Sequence, residues 1–173
     1  MLSLSDNEFS VIGFLVRNFA ERFTIRNIAQ RLGFSAAGVF NILKKLEKEG
    51  IVTGEKLGTG LFYSVNFENR VAGHLSAISL LISDDKYEKL ELEKLKEAKA
   101  AIFDKKTLLL VTDSITTMEV DIPNVAVMVK AEDELMQLFR KKNPEVLQVL
   151  KKGIVLFGED KVVEIIKNCI SRF

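Results

Sequence analysis

The order of start and stop signals in residues 24–50 constrains this chain more than any other feature. Thr24 suits a helix N-cap, and Ile25, Ile28, Ala29 and Leu32 follow at the spacing of one helical face. Gly33 ends that helix, because glycine enters the left-handed conformation at a C-terminus without steric cost. Phe34 alone separates it from Ser35, a second N-cap, after which Val39, Ile42, Leu43 and Leu46 repeat the helical spacing as far as Gly50.

The flanks extend the pattern. Ser5 and Glu8 make a capping box, with Leu4 and Phe9 placed as a hydrophobic staple, and Ile12, Leu15, Val16 and Phe19 form one apolar face behind them. After Gly50, Ile51-Val52-Thr53 reads as a short strand and Gly58-Thr59-Gly60 as a turn. Leu61, Tyr63, Val65 and Phe67 then alternate with Phe62, Ser64 and Asn66 at period two. These glycines lie between two strand-like runs, so they are a hairpin turn and not a phosphate loop, which would lead into a helix. The order is helix, helix, helix, hairpin, and residues 24–49 fit the helix-turn-helix motif.

Charge supports a polyanion-binding head. Residues 16–56 hold eight Lys/Arg against four Glu, a balance of +4, while the remaining 17 basic and 20 acidic residues give −3. The longest uncharged stretch, 71–83, has 13 residues, short of the roughly 18 a membrane span needs. No basic residue precedes Arg17, and Asp6 and Glu8 interrupt the N-terminal segment, so no signal peptide is expected. One cysteine, Cys169, and one histidine, His74, exclude an intrachain disulfide, a Cys-rich zinc site and a two-histidine metal motif. That cysteine usage fits a reducing, cytoplasmic setting, and nothing in the sequence calls for a metal or a cofactor.

Residues 24–67 resemble the winged helix-turn-helix of bacterial and archaeal transcriptional regulators. The most specific stretch runs from Ser35 to Val52, where Leu46, Gly50, Ile51 and Val52 match the family pattern of a capped helix followed by Leu-x-x-x-Gly-Ile/Leu-Val. The resemblance implies that the third helix enters the major groove and that the hairpin, the wing, touches the backbone or minor groove. Opposite the Val39/Ile42/Leu43/Leu46 face lie Ala37, Asn41, Lys44, Lys45 and Lys48. Asn41 suits adenine and the lysines suit phosphates. Ser35, Lys56 at the wing, and Arg26 with Asn27 at the start of the second helix complete the expected DNA-contacting set. Residues 36–41 are poor in hydrogen-bonding groups, and Phe40 faces outward, either toward a thymine methyl or under another protein surface. A winged helix used only for protein contact is the alternative.

Residues 69–85 read as a connecting helix on which Val71, Leu75, Ile78 and Ile82 form an apolar stripe, expected to be buried against a partner subunit or the second domain. A homodimer would suit palindromic operators. Residues 83–86 mark the boundary, giving domains at 1–68 and 86–173. The second half reads as a charged helix over 86–99, strands over 100–103, 107–112 and 122–129, and helices from 131 or 132 to 142 and over 144–152. A strand over 154–158 follows, then a helix over 159–172 with Val162, Val163, Ile166 and Ile170 inward and Cys169 as an inert apolar residue. The fold class is α+β.

Two segments of this half, AKAAIFDKKTLLLVTD and EDELMQLFRKKNPEVLQVLKKGIVLFGED, resemble the minimal prokaryotic nucleotidyltransferase domain over about residues 87–170. That family carries a Gly-Ser loop after its first strand and metal-binding carboxylates on the next two. Here the matching positions are Lys105, Thr107 and Ala126, with no Gly-Ser loop between Phe103 and Lys105. The resemblance therefore implies a catalytically dead copy. Glu119 and Asp121 could share one face of a strand as a cation site, but a pair before Ile122-Pro123 reads as solvated surface. The sequence thus points to a non-enzymatic DNA-binding regulator. A nucleotidyltransferase, or a toxin–antitoxin-type partner whose winged helix makes protein contacts, is the competing class.

Overall fold

The computed structural model describes residues 3–81, 95, 97–113 and 120–170. The chain divides into two compact units, Met1–Ile82 and Ser83–Phe173. In the first, α1 (Asp6–Arg17) is followed by β1 (Phe23–Thr24), α2 (Ile25–Leu32), α3 (Ala36–Lys48), β2 (Val52–Leu57), β3 (Gly60–Val65) and α4 (Arg70–Leu81). The strands form an antiparallel sheet in the order β1-β3-β2.

The local signals act as the sequence implies. Ser5 and Glu8 close their capping box on α1, and Thr24 forms another with Asn27 on α2. Gly33 ends α2 at φ 70, and the Ser35 hydroxyl accepts from the Gly38 amide at 3.0 Å to start α3. Leu57 pairs with Gly60, so the wing turns through Gly58 and Thr59, with Gly58 at φ 59. Val11, Ile12 and Val16 of α1, Ile28 of α2, and Val39, Leu43 and Leu46 of α3 are fully buried. Phe14 meets Phe23 edge-on, their ring centres 4.9 Å apart.

Helix α4 belongs to this unit and packs along α1. A Cβ on Gly13 of α1 would lie 3.3 Å from the Ser79 carbonyl oxygen, so small residues make the contact. The face of α4 that goes inward is Ala72, Leu75, Ser76, Ser79 and Leu80. The Ser76 and Ser79 hydroxyls donate to the carbonyls of Ala72 and Ser76, each at 2.7 Å, which satisfies them inside the core. Of the stripe expected to meet a partner subunit or the second domain, only Leu75 is taken up inside this unit. Leu75 is buried, whereas Val71 and Ile78 are 47% and 41% exposed; Ile82 lies outside the described residues.

The second unit holds β4 (Ala100–Phe103), β5 (Thr107–Thr112), β6 (Ala126–Ala131), α5 (Glu132–Arg140), α6 (Pro144–Lys152), β7 (Ile154–Phe157) and α7 (Glu159–Ile170). Its sheet runs β6-β5-β4-β7, with β5 and β6 parallel and the other pairs antiparallel. Leu108 and Leu110 cluster with Leu95, Ala98, Ala101 and Phe103 on one face, joined by Val125, Val127 and Val129. The helices pack against the sheet, and Lys161 ties α7 to α5 through Glu132 at 3.2 Å.

Several expected boundaries move. Lys99 is not helical; its amide donates to the Val111 carbonyl at 2.7 Å at the start of the sheet, while 82–94 lie outside the described residues. Strand β6 begins at Ala126 because residues 122–125 turn, with Asn124 at φ 65 and the Val125 amide bonded to the Ile122 carbonyl. Ile170 is 38% exposed, and Ile165 and Cys169 take its place in the buried face of α7.

Gly153 and Gly158 bracket β7 and let it lie close against β4. A Cβ at Gly158 would collide with the Lys99 carbonyl and stand 2.6 Å from Ala100, and φ there is 78. Gly158→Ala should destabilise the second unit by about 2–4 kcal/mol, combining left-handed strain with overpacking. Gly33→Ala, with φ 70 but no atom within 4 Å, should cost only about 1–2 kcal/mol from strain alone. Thermal unfolding of the two variants checks this ordering.

Candidate nucleic-acid interface

The interface is built outward from the buried side of α3. With 3.6 residues per turn, fixing Val39, Leu43 and Leu46 inward places Ala37, Phe40, Asn41, Lys44 and Lys48 on the opposite face, in a stripe roughly 100° wide. All five are exposed, as are Ser35 and Ala36 at the helix start. Neither α2 nor α3 carries an acidic residue in its first turn, a feature shared with α4, whereas α1, α5, α6 and α7 all do. The positive ends of the helix-turn-helix pair are thus left open to an anion.

The two adjacent lysines have different roles. Lys44 lies 3.7 Å from Glu47 in an exposed pair and sits 5.9 Å above the Phe40 ring, contacts a phosphate could replace at little cost. Lys45 is committed within the fold. Its ammonium is 2.7 Å from the Glu8 carboxylate and donates to the Ser3 carbonyl at 2.7 Å, fastening α3 to the start of α1. Lys45, expected to contact phosphate, already has its charge matched by a buried carboxylate. Burial works against ionising Glu8, but the Lys45 ammonium and the Ser5 amide and hydroxyl outweigh it and hold the carboxyl below its ordinary value.

Arg26, Lys48 and Lys56 are exposed and form no ion pair with a described residue. The Asn27 carbonyl oxygen accepts from the Thr24 amide and hydroxyl at 3.2 and 2.8 Å, so only its amide NH₂ remains for a backbone oxygen. Arg22 reaches Glu55 on β2 at 3.6 Å. It also lines, with Phe23, Asn27, Gln30 and Arg31, an open groove of about 640 Å³ beside α2. Gln30 and Arg31 were absent from the expected site, although their spacing of three and four from Asn27 marks a shared helix face. On the wing strand β3, Tyr63 is buried and its hydroxyl has no hydrogen-bond partner among the described residues.

Residues 2–59 match the MarR family. The match spans the first three helices and the wing as far as Thr59, about a third of the chain. None of the curated proteins compared with the chain matches it. The MarR-like segment therefore contains every residue of the expected DNA-contacting set, from Arg26 to Lys56, while α4 and the second unit lie beyond it.

In the second unit, the positions aligned with nucleotidyltransferase carboxylates are partly brought together. Thr107 and Ala126 are paired in the parallel register of β5 and β6, so they stand side by side. Lys105 lies instead in the β4–β5 turn at φ 76. The Asp104 carboxylate accepts from the amides of Lys106 and Thr107 at 3.1 and 2.7 Å, which makes it the acceptor that holds this turn. Among the described residues no three His, Cys, Asp or Glu are grouped as metal ligands; Asp121 is exposed and Glu119 lies outside that set.

Lys45→Ala should leave Glu8 without its counter-charge and destabilise the first unit by about 1–3 kcal/mol, whereas Lys44→Ala should cost less than about 0.5 kcal/mol. Because the Glu8 pKa is lowered on folding, its contribution is complete above the ordinary value of 4.5 and lost as pH falls through the folded value. Glu8→Gln should therefore flatten the acid limb of the stability profile. Denaturant unfolding of the variants at a series of pH values measures both effects.

Proposed function

We propose that this chain is a DNA-binding transcriptional regulator without enzymatic activity, which acts as a homodimer. The observation that carries the reading is the outward stripe of α3 lying within a segment that matches the MarR family, whose members are DNA-binding regulators. Residues Phe40 and Asn41 face base edges. Arg26, Lys44, Lys48 and Lys56, with the Asn27 amide, neutralise or bind phosphates, and the acid-free starts of α2 and α3 add their dipoles.

The dimer contact in this reading is the outer face of α4. Val71, Ile78 and Leu81 are 47%, 41% and 59% exposed, and Arg70 is the helix's only formal charge. Two winged helices related by a two-fold axis would double the phosphate contacts and match a palindromic site. The second unit serves assembly or sensing, as an inactive relative of the minimal nucleotidyltransferases. Lysine, threonine and alanine at 105, 107 and 126 support its inactivity, since that chemistry needs carboxylates to hold its metal ions. These positions give the competing nucleotidyltransferase reading no support.

Duplex DNA binding with a steep salt dependence is the expected behaviour. The Lys44→Ala/Lys48→Ala/Lys56→Ala variant should weaken binding to all duplexes and lower the slope of log K against log salt by about 0.9 per lost phosphate contact. Unchanged affinity and slope would remove this face as the DNA surface. Sedimentation should show a dimer at micromolar concentration, converted to a monomer by Leu81→Glu without loss of the fold. A wild-type monomer under those conditions would contradict the dimer.

A further inference from the structure

The outer stripe of α3 has a chemical character distinct from its charge. Its first two turns present Ala36, Ala37, Phe40 and Asn41, all exposed, and only Asn41 among them has a side-chain donor or acceptor. Phe40 is 44% exposed although its neighbour Val39 is fully buried, so the packing of α3 does not require an aromatic ring there. The rotation of α3 that buries Val39 turns this ring outward, where the Lys44 ammonium lies 5.9 Å from its centre. The cationic side chains of the stripe, Lys44 and Lys48, come only in later turns.

In the major groove, guanine is read through its N7 and O6 acceptors by Arg or Lys, and cytosine through its amino donor by an acid. The first turns of α3 carry none of these side chains. Thymine alone offers a methyl group, which alanine and phenylalanine contact, and adenine offers the N6/N7 edge that asparagine binds in two places. Residues three apart on a helix are separated by about 4.5 Å along its axis, comparable to the 3.4 Å step between base pairs. Ala37, Phe40 and Asn41 can therefore meet neighbouring pairs. We propose that this surface selects A·T-rich major-groove sites by their thymine methyl groups, with Phe40 as the main methyl contact, Ala37 as a second, and Asn41 on an adjacent adenine. This rests on the DNA-binding reading above and names what that site recognises.

The test isolates the methyl. The full chain is used to select tight binders from a random duplex library, and the best duplex is then made again with deoxyuridine in place of every thymidine. The two differ only in C5-methyl groups. Wild-type protein should lose about four-fold in affinity for each contacted methyl, the value of one buried methyl group. Phe40→Ala should lose most of that preference and keep at most the roughly four-fold that Ala37 supplies, while Phe40→Leu, still apolar, should retain more of it. The melting midpoint of each variant reports that the exposed substitution leaves the fold intact. Equal wild-type affinity for the two duplexes would overturn the proposal while leaving DNA binding in place. A methyl preference as large in Phe40→Ala as in the wild type would overturn it too, by placing the main reader elsewhere. Failure to bind any duplex at low salt would overturn the DNA-binding reading itself and leave Phe40 as a protein contact.

Discussion

Burial of Val39, Leu43 and Leu46 fixes the rotation of α3, and the rest of the first unit depends on that phase. Each is completely shielded, and each contributes about 1.5–3 kcal/mol relative to exposure. A helix has one rotation about its axis, so these contacts also determine what faces outward: Ala37, Phe40, Asn41, Lys44 and Lys48. The Ser35 cap sets where the helix begins, and the Glu8–Lys45 pair ties its last turn to α1. Stability and recognition are thus opposite faces of the same helix, and a substitution that rotated α3 would change both.

The distribution of charge follows the same division. Lys45, one residue from Lys44, is held by a buried carboxylate, and Arg22 pairs with Glu55 across the sheet. Arg26, Lys48 and Lys56 are left facing solvent. A count of +4 over residues 16–56 therefore overstates the field available to a ligand, since part of it is neutralised within the fold. What remains lies on α2, α3 and the wing, where exposed positive charge acts on a polyanion over about a Debye length.

Much of this architecture is legible in the sequence because its signals are local. Caps at Ser5, Thr24 and Ser35, the stop at Gly33 and the glycines of the wing each act within a few residues, and the helices start and end where those signals stand. What the sequence does not show mostly concerns partners distant in sequence. The side of α4 that packs on α1 carries Ser76 and Ser79, because Gly13 brings the helices close, and no periodicity within α4 marks those serines as buried. The ion pair of Lys45 is not visible in the sequence because Glu8, 37 residues earlier, lies beyond helical periodicity. The groove beside α2 needs Arg22 from ahead of β1 together with Gln30 and Arg31 from the helix, a combination formed only on folding. In the second unit, the pairing of Thr107 with Ala126 depends on a parallel register that no local signal encodes.

The central claim is that one face, formed by the start of α2, the outer stripe of α3 and the wing tip, meets duplex DNA. Amide chemical-shift mapping of the isotopically labelled full chain during titration with a duplex tests it most directly. The account predicts perturbations at residues 25–27, 35–48 and 56–60, with the amides of β4, β5 and α7 unmoved. Perturbations confined to the second unit, or none at low ionic strength, would contradict it.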